Sequence, residues 1–429
     1  NAGKALYLQE CAGCHGERGD GNGPAAAFTD PKPRNFVAGP FKLRSTPSGK
    51  PPATADILRT IEHGIAGTAM PSFSFLPEAD RRKIAAYVLK LADVLDEPEP
   101  EPAKVDLAAA PPASPASIAH GKELFGDAGC ANCHGAGGRG DGPTANQMKD
   151  SAGQPVKPRD FTDGRFRGGA DRADLYMRLT TGMDGTPMPA YDDVLEPADR
   201  WAVVDYVQTL VAKQAPAPLP KDPIAAGRVV AAKYSCGSCH VLDDGKGGDV
   251  GPDFRLSGQK LDPAWVRKFL VAPRAAGKIY PWRPYRMPHL GMTQEEADAM
   301  ARYLAAVGKR PDASPARPDP AKFPADKVDA GKTIFVVTCA QCHSLGKVVE
   351  TQPVNQQGPD LIHAAERVDY EWAKKWIGGP KAIDPKTRMT VAQLNPEQVE
   401  QVRMFVWKAS LGAEPAAAAG GAPAAASGA

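Results

Sequence analysis

The sequence lacks the features that mark several common classes of protein. Within its 429 residues, no apolar run approaches the roughly 20 residues that cross a bilayer, so no membrane-spanning segment is expected. The formal net charge is only +2, which argues against a nucleic-acid-binding protein with a strongly basic face. An initiator Met and a signal peptide are also missing, and we expect a mature chain from which an export signal has been removed.

Cysteine is absent outside four pentapeptides that share one pattern. All eight cysteines lie in CAGCH (residues 11–15), CANCH (130–134), CGSCH (236–240) and CAQCH (339–343). A motif that recurs four times in one chain indicates an internal repeat. The repeat therefore predicts the domain organisation before any helix is assigned.

Large apolar side chains are scarce in three proline-rich stretches and in the C-terminal tail. Such stretches cannot form a core, so we expect extended spacers and a disordered tail. The chain then divides into four segments, and each carries one pentapeptide near its start. The predicted boundaries are segment 1 at 1–95, a linker at 96–117, segment 2 at 118–212, a linker at 213–223, segment 3 at 224–308, a linker at 309–327, segment 4 at 328–412 and the tail at 413–429.

The four segments form two related pairs. Segments 1 and 2 share KPRNF and KPRDF, and also GTAMPSF and GTPMPAY. Segments 3 and 4 share GPDF and GPDL, a helix containing Trp, and the endings PYRM and PKTRM. In every segment we expect a first helix that runs into the pentapeptide, a Gly/Pro-rich loop, a middle helix, a Met-containing loop and an amphipathic last helix.

The pattern C-x-x-C-H has the residues needed to bind haem covalently. On a helical turn its thiols can form thioethers with the two vinyl groups of a haem, and the histidine can bind the iron. A thioredoxin-like dithiol would need a βαβ context, zinc would need paired knuckles in each unit, and a disulfide between such close cysteines would be strained. We therefore expect four haem c groups. The predicted attachment residues are Cys11, Cys14, Cys130, Cys133, Cys236, Cys239, Cys339 and Cys342, and the predicted axial histidines are His15, His134, His240 and His343.

A methionine follows each of these histidines at a repeated spacing. The spacing is 55 and 54 residues in segments 1 and 2, and 47 and 46 residues in segments 3 and 4. Thioether is a soft ligand that stabilises ferrous iron and closes the coordination shell. In segment 3 the choice stays open, because Met292 and His289 are near Met287 in the sequence. The predicted second axial ligands are Met70, Met188, Met287 and Met389.

Other residues are candidates for contacts around the haems. The proline carbonyl of each Gly-Pro pair could accept a hydrogen bond from the axial histidine, or the pair could simply form a turn. Arg34 and Arg159 could pair with haem propionates or be solvated. Trp265 and Trp372 could also contact the propionates, or they could pack in the core. The four candidate prolines are Pro24, Pro143, Pro252 and Pro359.

These motifs resemble the class I cytochrome c family. The resemblance rests on C-x-x-C-H after a glycine-containing first helix, on an aromatic residue in that helix (Tyr7, Phe125, Phe335), and on an aromatic last helix. Segment 3 departs from it, because Tyr234 is only near the equivalent position. The resemblance implies an all-α fold of four tandem domains, periplasmic maturation and one-electron transfer.

The sequence thus predicts a periplasmic tetrahaem cytochrome without catalytic residues. Its expected partners are respiratory donor and acceptor proteins, such as an oxidase or dehydrogenase complex, and no nucleic acid. One alternative is a c-type subunit of a larger oxidoreductase or oxidase complex, and in either case the protein could associate with the membrane through a partner or a lost anchor. Another is a multihaem peroxidase with one open haem, although the repeated methionine argues against an open iron.

Linker length and charge predict which segments lie closest. At the polyproline rise, linker 96–117 could extend to about 70 Å and linker 213–223 to about 35 Å. Segment 2 has 10 basic and 14 acidic residues, whereas segment 3 has 12 basic and 8 acidic residues. Opposite net charges favour contact. We therefore expect segments 2 and 3 to be the closest neighbours.

Overall fold

The computed structural model describes residues 2–93, 107, 110–212, 217–273, 285–350, 358–390 and 393–412. The predicted tail, most of linker 96–117 and the first part of linker 213–223 lie outside these ranges. The described residues are helical, with isolated β-bridges and no β-strand, as expected for an all-α fold. None of the described helices is long and apolar enough to cross a membrane.

Segments 1 and 2 have the same order of elements. Each has a first helix, a short helix at the pentapeptide, a 3-10 turn, a middle helix and a last helix. In segment 1 these are α1 (Ala2–Glu10), α2 (Ala12–His15), the turn Ala26–Phe28, α3 (Thr54–His63) and α4 (Glu78–Leu91). In segment 2 they are α5 (Pro115–Asp127), α6 (Cys130–His134), the turn Ala145–Gln147, α7 (Arg172–Thr181) and α8 (Pro197–Leu210).

Segments 3 and 4 differ at the pentapeptide and in the middle helices. The pentapeptide begins with a 3-10 turn at Cys236–Ser238 in segment 3, and it follows a π-helical turn at Phe335–Cys339 in segment 4. The single middle helix that we expected is replaced by two or three shorter helices. Segment 3 contains α9 (Pro223–Lys233), α10 (Phe254–Lys260), α11 (Pro263–Val271) and α12 (Gln294–Val307). Segment 4 contains α13 (Ala325–Ile334), α14 (Ala364–Arg367), α15 (Tyr370–Gly378), α16 (Pro380–Ile383) and α17 (Pro396–Leu411).

The first and last helices of every segment cross at a glycine. A Cβ atom on Gly121 would lie 1.9 Å from the carbonyl oxygen of Ala202, so a larger residue cannot fit without moving α8. Next to this crossing, Phe125 packs edge-on against Tyr206, with ring centroids 5.4 Å apart. The equivalent glycines are Gly3, Gly227 and Gly331, whose Cβ atoms would lie 2.3, 2.1 and 2.0 Å from the last helix.

Segment 3 confirms the departure seen in its sequence. Tyr303 of the last helix lies against Gly227, and the ring of Tyr303 packs edge-on to Phe254 at 6.2 Å. Tyr234 instead binds Glu296 through its hydroxyl group at 2.7 Å. The aromatic contact at the crossing therefore comes from the last helix rather than from the first.

The chain forms two compact units, Asn1–Pro218 and Leu219–Ala429. Segments 1 and 2 make up the first unit and segments 3 and 4 the second, and the expectation that segments 2 and 3 are the closest neighbours stays a prediction. The division falls inside the short linker 213–223. Direct polar contacts hold the two segments of each unit together.

In the first unit, an arginine of segment 1 is buried against segment 2. The side chain of Arg44 is fully buried and donates to Asp184 and to the carbonyl of Thr181, both at 2.7 Å. In return, Arg178 donates to the carbonyls of Lys42 and Arg44. Buried charges of this kind are costly unless they are paired, so these contacts fix how segments 1 and 2 pack.

In the second unit, the contact is a reciprocal backbone pairing. The amide of Asp262 donates to the carbonyl of Arg367 at 2.9 Å, and the amide of Asp369 donates to the carbonyl of Lys260 at 2.8 Å. Lys260 and Asp262 stand at the same positions in segment 3 as Arg367 and Asp369 in segment 4. The pairing is therefore self-complementary, as in a two-fold symmetric interface.

Linker 309–327 is attached to both segments of this unit, rather than extended away from them as expected. Arg310 donates to the carbonyl of Leu261 at 2.8 Å and pairs with Asp369 at 3.4 Å. The hydroxyl group of Ser314 donates to Asp262 at 2.7 Å. Its Arg and Ser side chains find partners at the backbone pairing, which explains why composition alone did not predict its position.

Candidate functional site

Each pentapeptide forms a tight turn that holds two thiols and an imidazole close in the chain. The amide of the histidine donates to the carbonyl of the first cysteine in segments 1, 3 and 4, at 2.9–3.0 Å. In segment 2 the same five residues form helix α6. All eight cysteines are free thiols, so none is used in a disulfide.

Burial keeps several of these thiols neutral. It raises the pKa of Cys236 to about 12 and that of Cys339 to about 11, and it also raises the pKa of Cys11 and of Cys130. A redox-active dithiol has the opposite property, a lowered pKa that makes the thiolate reactive. The environment therefore argues against a thioredoxin-like role.

Every motif histidine is oriented by a backbone carbonyl, but the carbonyl differs between the pairs. The Nδ1 atoms of His240 and His343 donate to Pro252 and Pro359 at 2.7 and 2.9 Å, as expected from the Gly-Pro pairs. In segments 1 and 2, the expected prolines Pro24 and Pro143 are not the acceptors. His15 instead donates to the carbonyl of Arg34 at 3.0 Å, and His134 to that of Arg159 at 3.2 Å.

The difference follows from the course of the loop. The glycine before each proline has the same role in all four segments, donating its amide to the carbonyl of the second cysteine at 2.7–3.2 Å. In segments 1 and 2 the chain then enters a 3-10 turn, Ala26–Phe28 or Ala145–Gln147. In segments 3 and 4 it continues past the ring, where a Cβ atom on Gly251 or Gly358 would come within 2.3–2.4 Å of an imidazole carbon.

This arrangement leaves the other ring nitrogen, Nε2, available to a metal. When Nδ1 carries the proton and donates it to a carbonyl, Nε2 of a neutral imidazole has a free lone pair. Burial lowers the pKa of His15, His134 and His343, which favours that neutral form. The histidines thus have the tautomer and protonation state that iron ligation needs.

An aromatic ring covers the imidazole in three segments. Phe36 stacks on His15 with ring centroids 4.5 Å apart, and Phe161 stacks on His134 at 4.4 Å. In segment 3, Phe254 lies 4.7 Å from His240. Phe36 and Phe161 are the last residues of KPRNF and KPRDF, so this shared motif supplies both the acceptor carbonyl and the ring.

A threonine two residues before the methionine fixes the methionine loop. The amides of Met70, Met188 and Met389 donate to the hydroxyl oxygens of Thr68, Thr186 and Thr387 at 3.1–3.2 Å. All three methionines are half-buried. The sequence analysis missed these threonines, although the repeated T-x-M in three segments was the signal that could have revealed them.

Segment 3 has Tyr285 at the position of this threonine. Met287 is half-buried and packs against the core of its segment, whereas Met292 is inside that core and only 5 % exposed. Nδ1 of His289 accepts a hydrogen bond from the amide of Gly291 at 3.3 Å. In the neutral ring this bond puts the proton on Nε2, so neither nitrogen of His289 presents a free lone pair in this conformation.

Arginine and tryptophan groups around these turns have polar atoms without partners. Arg34 Nε and Nη2, Arg159 Nε and Trp372 Nε1 are buried and have no hydrogen-bond partner among the described residues. Unpaired buried donors are rare and call for an acceptor. Trp265 instead stacks on Phe269 at 4.8 Å. The thiol pairs, neutral imidazoles and unused donors together fit a covalently bound haem with carboxylate groups.

Comparison with known proteins agrees with this geometry. The cytochrome c family model matches residues 1–92, 118–211, 224–308 and 328–410. The chain belongs to the cytochrome c family. Its four cytochrome c domains follow one another in tandem, and the protein is a multihaem c-type cytochrome that carries electrons. Covalently bound haem c follows from membership of the family.

Two curated relatives are subunits of oxidases. The chain is 30 % identical over 216 residues to the cbb3-type cytochrome c oxidase subunit FixP of Azorhizobium caulinodans, a match that covers 48 % of this chain and 58 % of the relative. It is 27 % identical over 221 residues to the cbb3-type cytochrome c oxidase subunit CcoP of Azospirillum brasilense, covering 48 % of this chain and 61 % of the relative. The matches therefore span roughly half of the cytochrome and about three fifths of each relative.

One solved structure matches about half of the chain. A chain of the reducing HAO-like protein complex of Kuenenia stuttgartiensis is 40 % identical, with a TM-score of 0.48. The match covers 49 % of this cytochrome and 96 % of that chain.

Proposed function

We propose that the chain is a periplasmic tetrahaem cytochrome that transfers single electrons between respiratory proteins. The observation that carries this proposal is the fourfold recurrence of one arrangement, a turn with two thiols and an imidazole whose Nδ1 is tied to a backbone carbonyl. Each segment repeats it with its own acceptor. Four sites of one kind support four haems rather than one functional site and three remnants.

The roles of the residues follow from their chemistry. The two thiols of each pentapeptide would hold one haem by thioethers, and Nε2 of the histidine would bind the iron. The half-buried methionine on the T-x-M loop would bind the opposite face in segments 1, 2 and 4. In segment 3 we assign this role to Met287, because Met292 is enclosed in the core and the ring of His289 is engaged by Gly291. A bound haem c supplies a one-electron iron couple.

The partners follow from the relatives. Because both curated relatives are oxidase subunits, we propose that the chain delivers electrons to or within a respiratory oxidoreductase complex. A freely diffusing carrier and a resident subunit would use the same sites. Co-purification from membranes solubilised in mild detergent separates the two, since a resident subunit stays with its complex at moderate salt.

The decisive experiment counts the haems. The mature protein should carry a mass increase of four haem units that survives acid–acetone extraction, and the pyridine haemochrome spectrum should give four haems per chain. A count of three or fewer would contradict the proposal for at least one segment. The reduced protein should also bind little carbon monoxide at neutral pH, because every iron has two protein ligands.

A multihaem peroxidase is the competing function, and segment 3 is where it would arise. This segment has Tyr285 in place of the threonine that fixes the other three methionine loops. Stoichiometric binding of carbon monoxide to one haem of the unmodified protein, together with peroxide turnover, would favour the peroxidase.

A further inference from the structure

A group of cations lies at the contact between segments 1 and 2. Arg34 and Lys42 of segment 1 occupy the same positions in KPRNFVAGPFK as Arg159 and Arg167 in KPRDFTDGRFR of segment 2. The two loops also supply the carbonyls that orient His15 and His134. The same pair of positive residues is thus found in both of the loops that orient a motif histidine.

The two pairs meet across the contact. Lys42 forms an ion pair with Asp150 of segment 2 at 3.5 Å, and Asp30 of segment 1 interacts in turn with Arg167. The guanidinium of Arg159 reaches segment 1, where a Cβ atom on Gly67 would lie 2.7 Å from its Nη1 atom. Gly67 begins the GTAM sequence that contains Met70. Arg159 of segment 2 therefore lies at the methionine loop of segment 1.

The cations act on one another as a single group. Burial lowers the pKa of Lys42, Asp150 acts in the opposite direction, and both Arg34 and Arg167 lower the pKa further. Burial likewise lowers the pKa of Arg167, with a further contribution from Arg159. Like charges at such proximity are unfavourable unless anions balance them.

Among the residues that the structure describes, the carboxylates that interact with this group are fewer than its cations. Asp30 of segment 1 interacts with Arg167, Asp150 of segment 2 pairs with Lys42, and Asp163 binds Arg159 but shares its charge with Arg165. The Nε atoms of Arg34, Arg159 and Arg167 are buried and have no hydrogen-bond partner among the described residues. Both the charge balance and the unused donors call for further carboxylates at this contact.

We propose that this interface cluster, consisting of Arg34, Lys42, Arg159 and Arg167, binds propionates of the haems of segments 1 and 2 together, so that each segment sets the reduction potential of the other. The proposal rests on the proposed function, because it requires a haem in both segments. A cation near a haem disfavours the more positive oxidised iron and so raises the potential. Lys42 and Arg167 are the residues that carry this effect across the contact.

The test is a redox titration of the full chain, followed by electron paramagnetic resonance. Two marker variants, M70H and M188H, identify the resonance signals of haems 1 and 2. Each marker is combined separately with the substitutions below. We expect R167Q to lower the potentials of both haems, and K42Q to do the same. In partly buried protein a unit charge is weakly screened, so each reduction equilibrium constant should fall by up to about tenfold, or about 59 mV. The charge-retaining variants R167K and K42R should restore most of the potential.

A matched control removes a different interface cation. Arg59 pairs with Asp174 across the same contact at 2.6 Å, but its side chain is about half exposed. R59Q should leave both potentials unchanged. A shift confined to the haem of the mutated segment, or unchanged potentials in R167Q and K42Q, would overturn the sharing of the cluster. Failure of R167K to restore the potential would also count against it, because packing rather than charge would then explain the shift.

A failure of the proposed function would give a different experimental result from a failure of this inference. A pyridine haemochrome count below four would show that a haem is missing. If four covalent haems are present and neither R167Q nor K42Q changes their potentials, the proposed function is supported and only this inference is contradicted.

Discussion

The amide of Met188 donates a hydrogen bond to the hydroxyl oxygen of Thr186 at 3.2 Å. The same hydroxyl group donates to the carbonyl of Met183 at 2.7 Å, so that one side chain ties the methionine loop at two points. Segment 1 repeats both bonds through Thr68. The backbone of the methionine loop is thus held by a local network before any iron ligation contributes.

Removing this hydroxyl group should weaken methionine ligation in segment 2. In T186V the loop loses a bond worth roughly 1 kcal/mol, so Met188 should be displaced from iron about 0.5–1 pH unit earlier as the pH rises. The Met–iron charge-transfer band near the red end of the oxidised spectrum reports this change. T209V is the control, because Thr209 makes its hydroxyl bond to the carbonyl of Tyr206 in the last helix. An equal shift in T209V would mean that the effect is not local.

Truncating the methionine itself should open one haem. M188A is expected to create carbon monoxide binding at one of the four haems and to lower the potential of that haem, since thioether ligation favours ferrous iron. M183A removes a neighbouring half-buried methionine that we expect only to pack. Carbon monoxide binding by M183A, or none by M188A, would refute the assignment of the ligand.

Two glycines of one helix should respond oppositely to alanine. G121A places a methyl group 1.9 Å from the carbonyl of Ala202 and should destabilise segment 2 by roughly 1–3 kcal/mol or more. Gly126 lies in the same helix with open space around it, so G126A should stabilise the helix by about 0.5–1 kcal/mol. Chemical denaturation of the full chain, followed by the absorbance of the haem bands, measures both. Similar effects in the two variants would contradict the close helix crossing.

The stability of segment 3 should depend on the charge of Glu296. Burial alone would raise the pKa of this carboxyl, but hydrogen bonds from Lys233, the Thr293 amide and Tyr234 hold it below its ordinary value. A lowered pKa in the folded state adds stability that is fully present above the unfolded pKa of about 4.3 and is lost as the pH falls through the folded pKa.

The substitution E296Q therefore has a pH signature. The gap in thermal stability between the wild-type protein and E296Q should be largest near pH 6 and should shrink as the pH falls below about 4. E295Q changes an exposed neighbour in the same first helical turn and should show no such pH dependence. A constant gap from pH 6 to pH 3 would contradict the role of the charge.

The sequence was most informative where chemistry requires fixed residues at fixed spacing. The pentapeptides and the pairing of the segments by motif could be predicted, because thiols, imidazole and loop glycines have few substitutes. The acceptor for His15 could not be predicted. Pro24 and Arg34 both offer a carbonyl in loops of similar composition, and only the 3-10 turn after Pro24 decides between them. The local sequence pattern does not predict the path that this loop follows.

The sequence also did not predict that segment 1 contacts segment 2. Net charge and linker length are averages over many residues, whereas the contact between segments 1 and 2 depends on single groups such as Arg44, which reaches Asp184 only in the folded chain. The methionine ligands stay a prediction. The three threonines that fix the methionine loops support it, and the sequence analysis missed them.

The reciprocal backbone pairing in the second unit bears on how such a chain could arise. Asp262 and Asp369 each give an amide to the opposite strand-like stretch, so both partners use the same surface. A single ancestral domain with that surface would already have been able to pair with its own copy. Fusing two copies of its gene would have kept the interface and raised the local concentration of the partners. Because the pairing uses backbone groups, it does not depend on which side chains stand at these positions, Lys260 in one segment and Arg367 in the other.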